Sequence, residues 1–133
     1  FERNLSFSEV IRLSVIDSNC QLMNRENSTI SEISPSQMKS MLKADKSHWV
    51  LDVREKWERE IQCIEPSTHI PLGEFSDPEN IKLPKEISKN SSIIIYCKAG
   101  VRSRTACEVL FSLGYKNLFN LSGGMIEWEE DNS

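Results

Sequence analysis

Cys97 stands at the head of the run Tyr96-Cys97-Lys98-Ala99-Gly100-Val101-Arg102-Ser103, and the residues after it are those that a sulfur nucleophile needs. Gly100 lets the backbone turn without a Cβ clash, so that successive N–H groups can aim at one point. Lys98 and Arg102 bring positive charge, and Ser103 is placed to cap a following helix. A thiol in such a field is more acidic than a free one, because N–H donors, a helix N-terminus and cations all favour the anion. The thiolate is the reactive species. The same cradle would stabilise a charged persulfide, Cys97-S-S⁻, as preorganised donors stabilise any charge that develops among them.

The other three cysteines, Cys20, Cys63 and Cys107, stand far from Cys97 and from each other. No Cys-x2-Cys pair or His-x3-5-His spacing occurs, so no zinc site is expected and reduced thiols in a cytoplasmic setting are. Cys107 sits beside an apolar helical position and reads as packing, and Cys20 reads as a linker cysteine. His48 and His69 flank strands as ordinary polar histidines, and the three tryptophans read as core or boundary anchors.

The elements that must position Cys97 are legible as a change of period. Ser92 to Tyr96 is rich in β-branched residues and reads as a strand covered on both faces. After the loop, Ala106, Val109, Leu110 and Leu113 recur at helical spacing, and Gly114 supplies a C-terminal cap. A loop between such a strand and helix is where parallel sheets bind ligands, beyond the carboxyl end of the strand. Upstream, regular structure begins at Ser34-Pro35, which opens a helix with the stripe Met38, Met41 and Leu42, ending near Asp45. Trp49 to Val53 is a strand, and Asp52 with Glu55 has capping-box spacing for a short helix carrying Trp57, Glu58 and Ile61. Thr68 to Leu72 and Asn117 to Leu121 are further extended pieces, residues 73–90 are mainly loop, and Met125 to Glu130 is a last helical turn or two. Strands alternating with helices imply an α/β domain with a mostly parallel sheet.

Composition sets the outer limits. The chain has 133 residues, 38% hydrophobic and 27% charged, with 16 basic against 20 acidic side chains, which suits one core rather than several. A net charge of −4 argues against nucleic-acid binding, which needs clustered Lys and Arg. The longest apolar run, Ile93 to Cys97, is far too short to span a membrane. Glu127, Glu129, Glu130 and Asp131 form an acidic, solvated end.

Four motifs in order, Asp52-Val53-Arg54-x-x-x-Glu58, Ile70-Pro71-Leu72-Gly73-Glu74-Phe75, the loop Cys97 to Arg102, and Gly123-Gly124-x-x-x-Trp128, resemble rhodanese-like sulfurtransferases. The resemblance runs from about residue 29 to the C-terminus. It implies a five-stranded, mainly parallel sheet flanked by helices, with sulfur carried as a persulfide on Cys97. Lys98, Ala99, Gly100, Val101, Arg102 and Ser103 would form the substrate-binding loop, and no cofactor or metal would be needed in this domain. Asp52, Arg54 and Glu58 match a supporting motif, in which Arg54 and Glu58 are spaced for an i, i+4 ion pair worth about 0.3–0.5 kcal/mol. Where the family often has Gly-His-Ile, this chain has Gln62-Cys63-Ile64, so Cys63 is either an assisting thiol or a small buried replacement.

Residues 1–28 are polar and irregular and read as an arm or linker, with residues 29–133 as the folded unit. The arm around Asp17-Ser18-Asn19-Cys20 resembles the segment closing the adenylyltransferase domain of MoeB/ThiF-type enzymes, with Met23 where a second zinc-ligating cysteine is usual. The chain opens on Phe1 rather than methionine, as expected of a domain detached from such an enzyme. That setting implies ATP, Mg and Zn in the upstream domain only. The sulfur donor would be thiosulfate or a cysteine desulfurase, and the acceptor a ubiquitin-like sulfur carrier protein serving molybdopterin, thiamine or tRNA thiolation. Two competing readings are a non-catalytic protein-binding module and a cysteine phosphatase. Phosphatase loops place five residues between Cys and Arg and a histidine before the Cys, whereas this chain has four and Tyr96.

Overall fold

The computed structural model describes residues 30–132, so the arm at residues 1–28, with Cys20, lies outside the described residues. The elements in chain order are β1 (Ile30–Ile33), α1 (Pro35–Ala44), β2 (Trp49–Asp52), α2 (Lys56–Ile61) and β3 (Thr68–His69), then two 3₁₀ turns at Leu72–Ser76 and Pro78–Asn80. They continue with β4 (Ser92–Tyr96), α3 (Val101–Ser112), β5 (Asn117–Leu121) and α4 (Gly124–Asn132). The five strands form one parallel sheet in the order β1-β5-β4-β2-β3, so β4 is central.

The centre of the sheet follows from the Ile93-Ile94-Ile95-Tyr96 run. Alternate residues of a strand face opposite sides, so Ile93 and Ile95 enter one core with Leu51, Ala106, Cys107 and Leu110 under α3. Ile94 and Tyr96 enter the other with Met38, Val50, Leu121 and Met125 under α1 and α4. All four are fully buried, each aliphatic side chain contributing about 1.5–3 kcal/mol. A polar residue on either face would therefore uncouple the strand from one helical layer.

Three readings are corrected here. Regular structure begins at β1, before Ser34-Pro35: Ile30-Ser31-Glu32-Ile33 has too few apolar residues to announce a strand, and pairing with β5 makes it one. The capping box lies three residues later than expected, because β2 extends through Asp52 and α2 starts only at Lys56, with the Glu55 N–H donating to Glu58 Oε1 at 2.9 Å. Trp57 is no anchor, being 63% exposed, whereas Trp49 and Trp128 are half-buried against the two cores. The α1 boundaries agree with the expectation, with Ser34 and Gln37 forming a capping box and Asp45 ending the helix. No described helix is long and apolar enough to cross a membrane.

Candidate functional site

Cys97 follows β4 directly, where the chain leaves the centre of the sheet between β2 and β5. Its side chain is buried, and three groups converge on Sγ. The Gly100 N–H donates at 3.1 Å, the Ser103 N–H donates at 3.3 Å, and the Ser103 hydroxyl lies 3.3 Å away. Gly100 makes this possible with a φ of 97°, turning the chain back over the sulfur before α3 begins. Burial alone would push the thiol up. The Ser103 hydroxyl and the N–H groups of Ser103, Gly100 and Ala99 outweigh it, and Cys97 is held below the ordinary thiol value.

Ser103 was expected to cap α3, but it sits inside the helix's first turn, fully buried, and Gly100 occupies the N-cap. Its hydroxyl serves the sulfur instead and also donates to Asn120 Oδ1 at 2.5 Å. Asn120 in turn donates through Nδ2 to the Gly100 carbonyl at 3.1 Å and to Glu32 Oε1 at 2.9 Å. Sequence reasoning missed Asn120. The available signal was an amide inside Asn117 to Leu121, a strand otherwise reading as buried, since a buried amide needs partners. One consequence concerns pH. Cys97 is reactive above its pKa, so Ser103→Ala, which removes the hydroxyl, should move the rise in iodoacetamide alkylation rate upward by about one pH unit.

The supporting motif is connected differently from the expected i, i+4 pair. Arg54 turns back onto Asp52, with Nε to Oδ1 at 3.0 Å and Nη2 to Oδ2 at 2.9 Å. Asp52 also receives Arg59 at 3.1 Å and the Tyr96 hydroxyl at 2.8 Å. Burial disfavours the Asp52 carboxylate, but the Arg54 side chain and backbone and Tyr96 hold it below the usual range. Tyr96, buried beside that carboxylate, is pushed up to about 12 and remains a neutral strut whose oxygen accepts the Ile64 N–H. Asp52 thus ties β2, β4 and the segment after α2 together, consistent with a supporting role.

Glu58 belongs to the loop's other side. It holds Arg102 through two bonds of 2.7 and 3.0 Å, so Arg102, expected to bring positive charge to the loop, does so as one half of an ion pair that fixes the loop against α2. Hydrogen bonds from Arg102, opposed by partial burial, bring the Glu58 carboxyl down to about 2. Folded-state ionisation below the ordinary value of 4.5 gives stability that is complete at neutral pH and is lost as pH falls through about 2. The full shift corresponds to about 3 kcal/mol, which solvent at one-third-exposed Arg102 reduces to roughly 1–2 kcal/mol. Glu58→Gln should lower the urea midpoint accordingly at neutral pH, with the difference from the native protein closing between pH 4.5 and 2.

The Gly123-Gly124 pair closes the loop from above. The Met125 N–H donates to the Cys97 carbonyl at 2.9 Å and the Ile126 N–H to the Lys98 carbonyl at 3.1 Å, so the start of α4 holds both loop carbonyls. A Cβ on Gly124 would meet those same carbonyl oxygens at 2.4 and 2.6 Å. Lys98 and Ala99 are exposed at the mouth, and Val101 is 74% exposed. Beside the loop, Lys98, Trp57, Ile61, Met125 and Ile126 line a groove of about 210 Å³.

The remaining cysteines and the histidines have surroundings of their own. The Cys63 thiol is half-buried and lies 3.6 Å from the Glu65 carboxylate. Cys107 packs in the α3 core, where burial pushes its thiol far above the reactive range. His48 Nδ1 meets the Ser92 hydroxyl at 2.7 Å, and His69 Nε2 meets the Arg54 carbonyl at 2.7 Å. Each histidine thus has a partner outside the loop.

A family model described as "Rhodanese-like domain" matches residues 34–131. The chain is 35% identical over 95 residues to "Putative thiosulfate sulfurtransferase, mitochondrial" of Schizosaccharomyces pombe, covering 65% of this chain and 66% of that protein. It is 33% identical over 100 residues to "Putative sulfurtransferase YtwF" of Bacillus subtilis, covering 75% of this chain and 91% of that protein. To "Adenylyltransferase and sulfurtransferase UBA4" of Candida albicans it is 26% identical over 102 residues, covering 74% of this chain and 23% of the relative. The chain therefore spans from under a quarter to nine tenths of these relatives' lengths. Among solved structures it is similar to a rhodanese-like domain protein from Staphylococcus aureus, with a TM-score of 0.64, 29% identity and coverage of 74% of this chain and 91% of that one.

Proposed function

The chain belongs to the rhodanese-like domain family, and from that membership we propose that it is a sulfurtransferase that carries sulfane sulfur as a persulfide on Cys97. The observation that carries this reading is the convergence of the Gly100 N–H, the Ser103 N–H and the Ser103 hydroxyl on one buried sulfur. Such a ring of preorganised donors stabilises negative charge on that atom.

Two steps follow from it. The Cys97 thiolate attacks the outer sulfur of thiosulfate; a sulfur–sulfur bond forms to Cys97, the bond to the sulfite sulfur breaks, and sulfite leaves with that electron pair. A nucleophilic acceptor then attacks the terminal sulfur of Cys97-S-S⁻, takes it, and returns the thiolate. A cysteine desulfurase persulfide serves equally as donor, its own thiolate being the leaving group. The four large apolar side chains exposed among the described residues, Trp57, Ile61, Val101 and Ile126, lie on helices α2, α3 and α4, which border the loop. That distribution supports a protein partner on at least one side of the reaction.

The acceptor we favour is a ubiquitin-like sulfur carrier, in the setting of a MoeB/ThiF-type enzyme whose adenylyltransferase domain uses ATP and Mg. This finer reading is supported by the similarity to UBA4 and by the resemblance of residues 1–28 to the end of such a domain. In that setting the acceptor is an electrophile: the terminal sulfur of Cys97-S-S⁻ attacks the adenylated C-terminal carbonyl of the carrier, and AMP leaves with the electron pair of the broken C–O bond. A reducing thiol then attacks Cys97 Sγ, releasing the carrier thiocarboxylate and forming a disulfide that a second thiol reduces. The test supplies adenylated carrier, a desulfurase and a thiol reductant to the full-length enzyme; thiocarboxylate must form with the native protein and not with Cys97→Ser. Equal formation by both would remove the carrier reading.

A further inference from the structure

The hydrogen-bond chain behind Cys97 has one hydroxyl proton and two groups that want it. Asn120 is 2% exposed, and its amide orientation is dictated by its neighbours. One end faces the Gly100 carbonyl and the Glu32 carboxylate, both acceptors only, so that end is Nδ2. The other end is therefore Oδ1, which can only accept, and it lies 2.5 Å from Ser103 Oγ. On its far side, Ser103 Oγ lies 3.3 Å from Cys97 Sγ.

From this geometry we propose that Asn120 is a positioning residue that competes with the Cys97 thiolate for the Ser103 hydroxyl proton. With Cys97 as a thiol the chain runs one way: S–H donates to Ser103 Oγ, and Ser103 O–H donates to Asn120 Oδ1. When the thiolate forms, the hydroxyl can turn to the sulfur only by leaving a buried amide oxygen without a donor. The thiolate is then less stabilised, and so more basic, than its ring of donors alone would make it. Intrinsic thiolate nucleophilicity rises with basicity, so the competition keeps the sulfur reactive. Loading completes the cycle: the negative charge moves to the terminal sulfur of Cys97-S-S⁻, Sγ becomes a poor acceptor, and the hydroxyl returns to Asn120.

The other groups near this chain are engaged elsewhere or lie at its edge. Arg102 is paired with Glu58, Arg104 with Glu32 and Glu108, Lys98 is exposed, and the Cys107 thiol is neutral in the core. The inference rests on Cys97 being the working thiolate, yet its test needs no sulfur transfer. Its failure is thus separate from failure of the proposed function.

The test is the pH profile of Cys97 alkylation by iodoacetamide in the intact protein, with the site identified by peptide mapping. Asn120→Leu removes the competitor and should lower the midpoint by about one pH unit, opposite in sign to Ser103→Ala. Asn120→Ala, which removes the same acceptor without adding charge, should lower it likewise, and supplies the answer if the leucine variant does not fold. In the Ser103→Ala background, Asn120→Leu should add no shift. An upward shift in Asn120→Leu or in Asn120→Ala, or the same Asn120→Leu shift with and without Ser103, would overturn the proposal.

Discussion

Cys97→Ser is expected to lower sulfur transfer from thiosulfate to cyanide by at least ~10³-fold while the protein remains folded. The substitution changes one buried atom, and the Gly100 and Ser103 N–H groups can donate to a hydroxyl as they do to sulfur, so the loop has no reason to open. The hydroxyl fails chemically instead. It stays protonated throughout the working range, and the donors that lower the Cys97 thiol cannot bring an alcohol within reach of ionisation. Initial rates, with circular dichroism as the control for folding, decide it. Retention of a tenth of the native rate would place the transferring thiol elsewhere.

Gly100→Ala is the second large effect, and it acts through the backbone. Gly100 has a φ of 97°, and an added Cβ would lie 2.0 Å from the Ser122 carbonyl oxygen, which is backbone and cannot swing aside. The strained φ alone is worth roughly 1–3 kcal/mol, and relief of the clash must move the loop off β5. We expect a stability loss of about 3 kcal/mol or more. In the protein that still folds, transfer should fall ~10²-fold, because the displaced N–H is one of the sulfur's donors. Gly73→Ala is the control, with no atom within 4 Å of its added Cβ and an expected change within about 0.5 kcal/mol in a urea titration. Equal stability of the two variants would show that the loop tolerates a side chain at residue 100.

How far the sequence carried these conclusions depends on what kind of interaction is involved. The β4 strand and the α3 helix were legible because their residues repeat a local period, and Cys97 was legible because it sits at the junction of the two periods with a glycine three residues on. β1 was not, since a four-residue strand with two isoleucines owes its existence to the pairing Ile33↔Leu121 and its neighbours. The same holds for the charges. Arg54 and Glu58 have the spacing of a helical pair, but Arg54 precedes α2 and finds Asp52, leaving Glu58 for Arg102 across 44 positions of sequence. Asn120 could be suspected only as a buried amide in need of partners, because those partners, Gly100, Ser103 and Glu32, are all distant from it in the chain. Local period thus revealed the elements, the nucleophile and the loop around it, while the Asn120–Glu32 contacts behind Ser103 emerged only from the register of β4, β5 and β1.

In the proposed reaction, sulfur resides on Cys97 between the two halves. Intact-mass measurement after brief exposure to thiosulfate and removal of excess donor, followed by peptide mapping, reads this directly. One added sulfur atom is expected, located on Cys97, absent in Cys97→Ser and discharged when cyanide or a thiol acceptor is added. No added sulfur on the native protein, or sulfur that persists in Cys97→Ser at Cys63 or another thiol, would contradict it.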